Sequence, residues 1–461
     1  MPAPCQAPPL SVFTKSSVAV SLCGFPPGEL EQASKLLSDR GHRVVRSLVA
    51  AQWVIAGPDA DDSVWESTRA RGLEVTAWDA VLETFRSDAV LAELAPAGEA
   101  PLASPTVLPL QRVENGVPLW LDQPLPVAET PESKDLRLVP APERFAGLCM
   151  DQAFAETVLA VLSGVNHRMP VALEGETAAS KTIAVLYLAH LLKQPVVRLN
   201  LNGQTDPGEL VGRFVPDAVG WRFQEGALPV AMRRGHWLLL DEMNLAEPQV
   251  LERLNSALEI PPTLMLSEGH GTVFGPGGDV EVAAGFRMLA TLNPAEYAGR
   301  SVLSPAFRNR WLIWHQAQLP DEAAILALLR TLALGEQPVI HWQGCSYQAA
   351  PVQPLHPWLQ HLPDLDAVLA RLAMFHTTVA KAAGGPGITP GLARQRRERE
   401  VFTRRNLLAT LHLCAARAHD ATPAVVRAAL TDSIHRIYLN RYADSADRRA
   451  IHAHLRAAEL A

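Results

Sequence analysis

Gly175, Glu176, Thr177, Ala178, Ala179, Ser180, Lys181 and Thr182 read GETAASKT, between the apolar run PVALE and the helix-forming run IAVLYLAHLL. A loop that leaves a strand and enters a helix turns backbone N–H groups and the positive end of the helix dipole toward one point. That is an arrangement in which phosphates bind. In such a loop Lys181 reaches the β and γ phosphates of a nucleotide, and the Thr182 hydroxyl coordinates Mg2+. The usual spacing has a second glycine where this chain has Ser180. A small side chain there leaves the amide able to face inward, at a cost of about 1–2 kcal/mol for an unusual backbone conformation. Taken alone, the loop also fits a strand-to-helix turn with chance spacing.

HWLLLDEMN lies further along, an apolar strand that ends in two acids. Adjacent carboxylates at the end of a buried strand are costly unless something uses or solvates them. Asp241 is placed to bind Mg2+ through water and Glu242 to take a proton from an attacking water, the alternative being a solvated strand end. The strand FRMLATLNP ends in Asn293, whose uncharged amide suits the orientation of that same water, although Asn-Pro is also a turn signal. SVLSPAFRNRW brings Arg308 and Arg310 just before another strand. A guanidinium there can cancel charge on a transferring phosphoryl group, most naturally in a neighbouring subunit's site, or can be an ordinary surface arginine.

These residues must be held by elements. PVALEG, PVVRLNL, HWLLLDE, FRMLATLNP and WLIWHQAQL are short apolar runs separated by helical stretches, which predicts an α/β fold with a parallel sheet. We expect this nucleotide-binding domain over 143–319 and a helical domain over 320–461, where DEAAILALLRTLALG and RRNLLATLHLCAARA carry apolar residues at helical spacing. Residues 1–16 read as a tail and 17–87 as a small α/β domain. The proline-punctuated stretch 88–142 reads as a linker or extended arm, with VPLWLDQPL as an apolar anchor. The 461 residues are 48% hydrophobic and 19% charged, which suits packed cores, and the net charge of −7 argues for neither nucleic acid nor an anionic membrane. The five cysteines form no CxxC pair, and no run reaches the length of a membrane span. The start lacks a secretory pattern, so the expected location is cytoplasmic, with no membrane partner.

The motifs together resemble the AAA+ ATPases, in the branch that holds the MoxR family, dynein and midasin. GHWLLLDEMNLAEPQVLERLNSALE and FRMLATLNPAEYAGRSVLSPAFRNRW carry most of the likeness, which covers about 145 to 445. It implies a P-loop module with sheet order 5-1-4-3-2 plus a helical lid, and ATP and Mg2+ as cofactors. It also implies Walker A at Gly175–Thr182, Walker B at Asp241 and Glu242, sensor 1 at Asn293 and the arginine finger at Arg310 rather than Arg308. VFTRRNLLATL is similar to the sensor 2 segment, and its flanks select Arg405. TDPGELVGRFVPDAVGWRFQEGALPVAMRRG and PTLMLSEGHGTVFGPGGDVEVAAG are similar to the helix-two insertion and the hairpin before sensor 1. In the family these face the pore or substrate side of a ring.

SVAVSLCGF, ELEQASKLLSDRGHRVV, AQWVIAGP and GLEVTAWDAVLETF resemble a BRCT domain, with Trp78 on its final-helix tryptophan and Gly41 on its glycine turn. Cys23 before Gly24, and Arg69 and Arg71 in place of a lysine, depart from the phosphopeptide-binding pattern. The resemblance implies a hexameric, ATP-hydrolysing ring that remodels or activates a protein partner in the manner of a chaperone. In this branch the partner is often a von Willebrand A domain protein, and here the BRCT-like domain would recruit cargo. Two alternatives stay open. One is a nucleic-acid-directed motor or clamp in DNA repair, restriction or defence, which would use Arg394, Arg396, Arg397 and Arg399. The other is a nucleotide-gated scaffold with slow turnover.

Overall fold

A computed structural model describes residues 19–23, 25–39, 43–45, 53–57, 60, 68, 74–78 and 81. From residue 107 on it describes everything except 128–130, 219, 268–270, 295–299, 385–400, 419–421, 443–444 and 461. The chain divides into two compact units, Met1–Ala103 and Ser104–Ala461.

In the first unit, four strands form a parallel sheet in the spatial order Arg43–Val44, Ala19–Cys23, Trp53–Ala56, Glu74–Ala77, with a helix at Pro27–Asp39. Val20, Leu37, Ile55 and Val81 are buried together, and Trp78 packs against them, edge-on to Phe25 at 5.7 Å. Gly24, Gly41, Arg69 and Arg71 lie outside the described residues.

The second unit is built on five parallel strands: Val171–Glu174 (β1), Val196–Asn200 (β2), Trp237–Asp241 (β3), Arg287–Leu292 (β4) and Ile313–Gln316 (β5). Their spatial order is β5-β1-β4-β3-β2, the order that the resemblance implied. Every residue of β3, Trp-Leu-Leu-Leu-Asp, is buried, because a parallel sheet is covered on both faces. One face packs on the helices Gln152–His167 and Lys181–Leu191 through Val158, Leu162, Val185 and Leu188. The other packs on Leu228, Met232, Phe307 and Trp311. The carboxyl ends of β1, β3 and β4 therefore open side by side, where ligands collect in open α/β sheets. Helices Glu322–Leu334, Leu365–Gly384, Arg404–Ala418, Pro423–Ile434 and Ser445–Ala457 surround a separate core that includes Leu329, Leu369, Leu411 and Tyr438.

Part of the segment read as an arm is β-structure. Residues 107–109 pair with 346–348, and 111–114, 117–120 and 123–124 form a small antiparallel sheet. Proline is tolerated because these strands are two to four residues long, and the Pro118 carbonyl still accepts from Leu125 N at 2.8 Å. Leu110, Trp120 and Leu121 sit in the same core as the helices behind the central sheet. The hairpin Val339–Trp342 with Cys345–Gln348, which falls inside the stretch expected to be helical, joins that core through Ile340 and Tyr347. Among the described residues no helix is long and apolar enough to cross a membrane.

Trp120 is fully buried. Trp120→Ala is expected to cost about 3–5 kcal/mol. Denaturant unfolding followed by circular dichroism checks this, and a loss below about 1 kcal/mol would mean that the strands at 107–124 rest on the surface.

Candidate nucleotide-binding site

The loop leaves β1 at Gly175, where a Cβ would lie 2.6 Å from the Ala317 carbonyl oxygen, so the close approach of β5's trailing segment requires glycine. Ala178 (φ 71°) and Ser180 (φ 59°) hold left-handed backbone conformations, which turn the chain into the Lys181–Leu191 helix. Lys181 starts that helix and is 7% exposed. Its Nζ donates to the carbonyls of Gly175 (2.6 Å) and Glu176 (2.9 Å) and to Asn293 Oδ1 (2.9 Å). Burial pulls the lysine down to about 8, while the nearby carboxylates of Glu242 and Asp241 pull the other way.

Asp241 ends β3 and is buried. Thr182 Oγ1 donates to its Oδ1 at 2.9 Å, Thr291 Oγ1 donates to the same oxygen, and Arg198 Nε donates to Oδ2 at 2.9 Å. The next residue, Glu242, has φ 57°, a conformation an L residue holds only when its surroundings enforce it. Asn293, just past β4, donates through Nδ2 to both Glu242 oxygens (3.2 and 3.1 Å) while its Oδ1 accepts from Lys181. One amide thus spans the loop lysine and the second acid. Arg300 Nη1 donates to Glu242 Oε2 (2.7 Å) and to Asn244 Oδ1 (3.1 Å), and Asn244 in turn holds the Asn293 carbonyl at 2.7 Å.

The structure brings Lys181, Thr182, Asp241, Glu242 and Asn293 together, as their spacing suggested. Arg308 and Arg310 are held elsewhere. Arg308 lies over the Trp314 ring at 4.3 Å and 3.5 Å from Glu174, and Arg310 donates to the Ala306 carbonyl at 2.9 Å. Arg405, expected as the lid arginine, is not the one the structure brings to the loop. Arg405 is exposed, whereas Arg404 reaches the loop, with Nη1 3.3 Å from Ser180 Oγ and Nη2 on the Asp151 carboxylate. The helix Arg404–Ala418 buries Leu407, Leu411, Cys414 and Ala418. Arg404 is in phase with that stripe, and Arg405 is one helical step, about 100°, away from it.

Arg198, Arg300 and Asp151 escaped the reading of the sequence. Asp151 carries a signal, an N-cap residue before QAFAETVLAV, whereas Arg198 and Arg300 sit inside PVVRLNL and FRMLATLNPAEYAGRSVLSPAFRNRW at positions to which the pattern gives no role. The two expected insertions form hairpins, Gly212–Asp217 with Gly220–Glu225 and Leu264–Leu266 with Thr272–Phe274. They leave Trp221 (72% exposed), Phe214 and Met265 in solvent. Arg394, Arg396, Arg397 and Arg399 lie outside the described residues.

Residues 170–311 match the family described as AAA domain (dynein-related subfamily). The chain is 38% identical to midasin of Dictyostelium discoideum over 172 residues and 35% identical to midasin of Giardia intestinalis over 161 residues. These stretches are 37% and 34% of this chain and 3% of each midasin. It is 28% identical over 169 residues to the aerobic cobaltochelatase subunit CobS of Sinorhizobium sp, across 34% of this chain and 49% of that one. The matches thus span a small part of the midasins and about half of CobS. Together with the five-stranded parallel sheet, they support an AAA+ ATPase module.

The buried lysine gives a pH dependence with a definite sign. Its pKa is lowered to about 8, so the ammonium form that attracts phosphate predominates at pH 7 and is lost as pH rises through that value. ATP association should therefore weaken above about pH 8, by up to about tenfold per pH unit, while bound phosphate keeps the lysine charged. Calorimetric titration between pH 7 and 9.5 tests this, and a flat profile would show that the charge on Lys181 does not enter binding.

Proposed function

We propose that this chain hydrolyses ATP as a subunit of a hexameric cytoplasmic ring and uses the cycle to remodel or activate a protein partner. The observation that carries the reading is Asn293, whose single amide joins the buried Lys181 to Glu242 at the open end of the sheet. In this reading the loop amides and Lys181 hold the phosphates, exchanging the Gly175 and Glu176 carbonyls for phosphate oxygens. Glu242 accepts the proton of the attacking water, and Asn293 fixes the carboxylate and that water. Arg404 meets the γ-phosphate from the lid. Arg310 completes the site of an adjacent subunit, in keeping with its lack of any described contact to Lys181, Asp241 or Glu242 in its own chain.

The Thr182 hydroxyl and the Asp241 carboxylate, 2.9 Å apart, are hard oxygen donors of the kind Mg2+ takes, and they would hold it. When bound, Mg2+ supplies neutralisation of phosphate charge. A partner with a von Willebrand A domain, and recruitment of cargo by the BRCT-like first unit, complete the reading. The first of these follows from the resemblance of the motifs to the MoxR and midasin branch, and the second from the resemblance of the first unit's segments to a BRCT domain. The exposed aromatics Phe214 and Trp221 suit contact with a polypeptide.

Two experiments test this. Glu242→Gln should bind ATP and lose turnover by about 10²–10⁴-fold in a phosphate-release assay, and turnover within about threefold of the parent would remove Glu242 from the chemistry. Lys181→Ala and Arg310→Ala should each be inactive alone and should recover activity when mixed, because one kind of mixed interface then holds both an intact loop and an intact Arg310. Assembled mixtures that stay inactive would place Arg310 outside a shared site.

A further inference from the structure

Asp151 gives its two carboxylate oxygens to different partners. Oδ1 accepts the backbone N–H of Phe154 at 2.8 Å and caps the helix Gln152–His167, while Oδ2 takes Arg404 Nη2. The two side chains are 5% and 13% exposed, so the pair is screened little by solvent. Helix capping alone is served as well by serine or asparagine. A carboxylate is needed only for the guanidinium.

Arg404 Nη1 lies 3.3 Å from Ser180 Oγ, the atom that the usual glycine of such a loop would lack. Ser180 holds φ 59°, which glycine adopts with less strain, so its side chain comes with a conformational cost. Arg404 Nε has no hydrogen-bond partner among the described residues. One guanidinium from the helical domain is therefore pinned by the first helix of the α/β domain and by the phosphate loop, with an N–H left for a further acceptor.

We propose that Asp151 is a positioning residue for recognition of the γ-phosphate. It locks Arg404 beside Ser180 before nucleotide arrives, so that a triphosphate meets a guanidinium already oriented, and Ser180 is the second point of the lock. The inference rests on the ATP site proposed above and adds to it which residues decide triphosphate over diphosphate. Preorganisation of this kind favours the ligand that uses the oriented group and leaves the other unaffected.

The test is titration of the full-length chain with ADP and with β,γ-imido-ATP, for the parent, Asp151→Ser, Asp151→Asn, Arg404→Ala and Asp151→Ser/Arg404→Ala. Asp151→Ser keeps the cap and cannot reach Arg404. It should lower the preference for the triphosphate by about tenfold, the worth of one charge-assisted hydrogen bond, with ADP affinity unchanged. Arg404→Ala should lower the preference by a similar factor, and the double variant by no more than either alone. Asp151→Asn keeps the cap through its one oxygen and turns its amide NH2, a donor, toward Arg404, so it should lower the preference as Asp151→Ser does, and it serves as the test if Asp151→Ser does not fold. An unchanged preference in the Asp151 variants, an equal weakening of ADP and triphosphate, or additive losses in the double variant would each overturn the inference while leaving the ATP site intact. A parent chain that binds neither nucleotide would remove the site itself and the inference with it.

Discussion

The Lys181 ammonium is the constraint around which the rest of the second unit is arranged. A buried charge is tolerated only when hydrogen bonds replace its water. Here the Gly175 and Glu176 carbonyls and Asn293 Oδ1 do so. The two carbonyls belong to the loop, so satisfying the lysine also holds the loop curled over the start of its own helix. The amide belongs to the end of β4, so the same requirement ties β1 to β4. From Asn293 the connection runs to Glu242 after β3 and, through Asn244 and Arg300, to the segment that leads toward Arg308 and Arg310. Phosphate oxygens are the natural replacement for those carbonyls, because they offer the ammonium charge as well as hydrogen bonds.

Strain and charge pairing concentrate at the same place. Ala178, Ser180 and Glu242 are left-handed without being glycine, each at a cost of about 1–3 kcal/mol that the surrounding contacts must offset. Three acids at the open end of the sheet each have an arginine: Arg198 on Asp241, Arg300 on Glu242 and Arg404 on Asp151. These guanidiniums come from β2, from the segment after β4 and from the helical domain. A triphosphate entering the site would therefore be felt by elements distant in sequence, which is what conversion of a local chemical step into movement requires.

Much of this was legible in the sequence, and the rest was not, for identifiable reasons. Strands buried on both faces are continuous apolar runs, so HWLLLD and FRMLATL announce themselves, and a polar residue that ends such a run, as Asp241 and Asn293 do, sits where the run opens to ligand. The spatial order of the strands followed from resemblance, because nothing local encodes it. The short strands of the Pro-rich segment are not legible because proline forbids long or central strands but allows the two- to four-residue strands at 107–124, where Trp120 of VPLWLDQPL is buried. Arg404 and Arg405 differ by one position, and matching flanking residues favour Arg405, whereas Arg404 is the one beside Ser180. The buried phase of Leu407, Leu411 and Cys414 on the same helix points to Arg404. Arg198 and Arg300 act through long-range pairing with Asp241 and Glu242, which no window of sequence displays.

The central claim is that Lys181 is held in place for a nucleotide phosphate. Calorimetric titration of ATP with Mg2+ into the full-length chain and into Lys181→Ala tests it most directly. The account predicts one binding event per chain in the parent and an affinity at least about a hundredfold weaker in the variant, since a buried charge-assisted contact is lost. Equal affinities in the two proteins would contradict it, and so would a parent chain that binds no ATP at all.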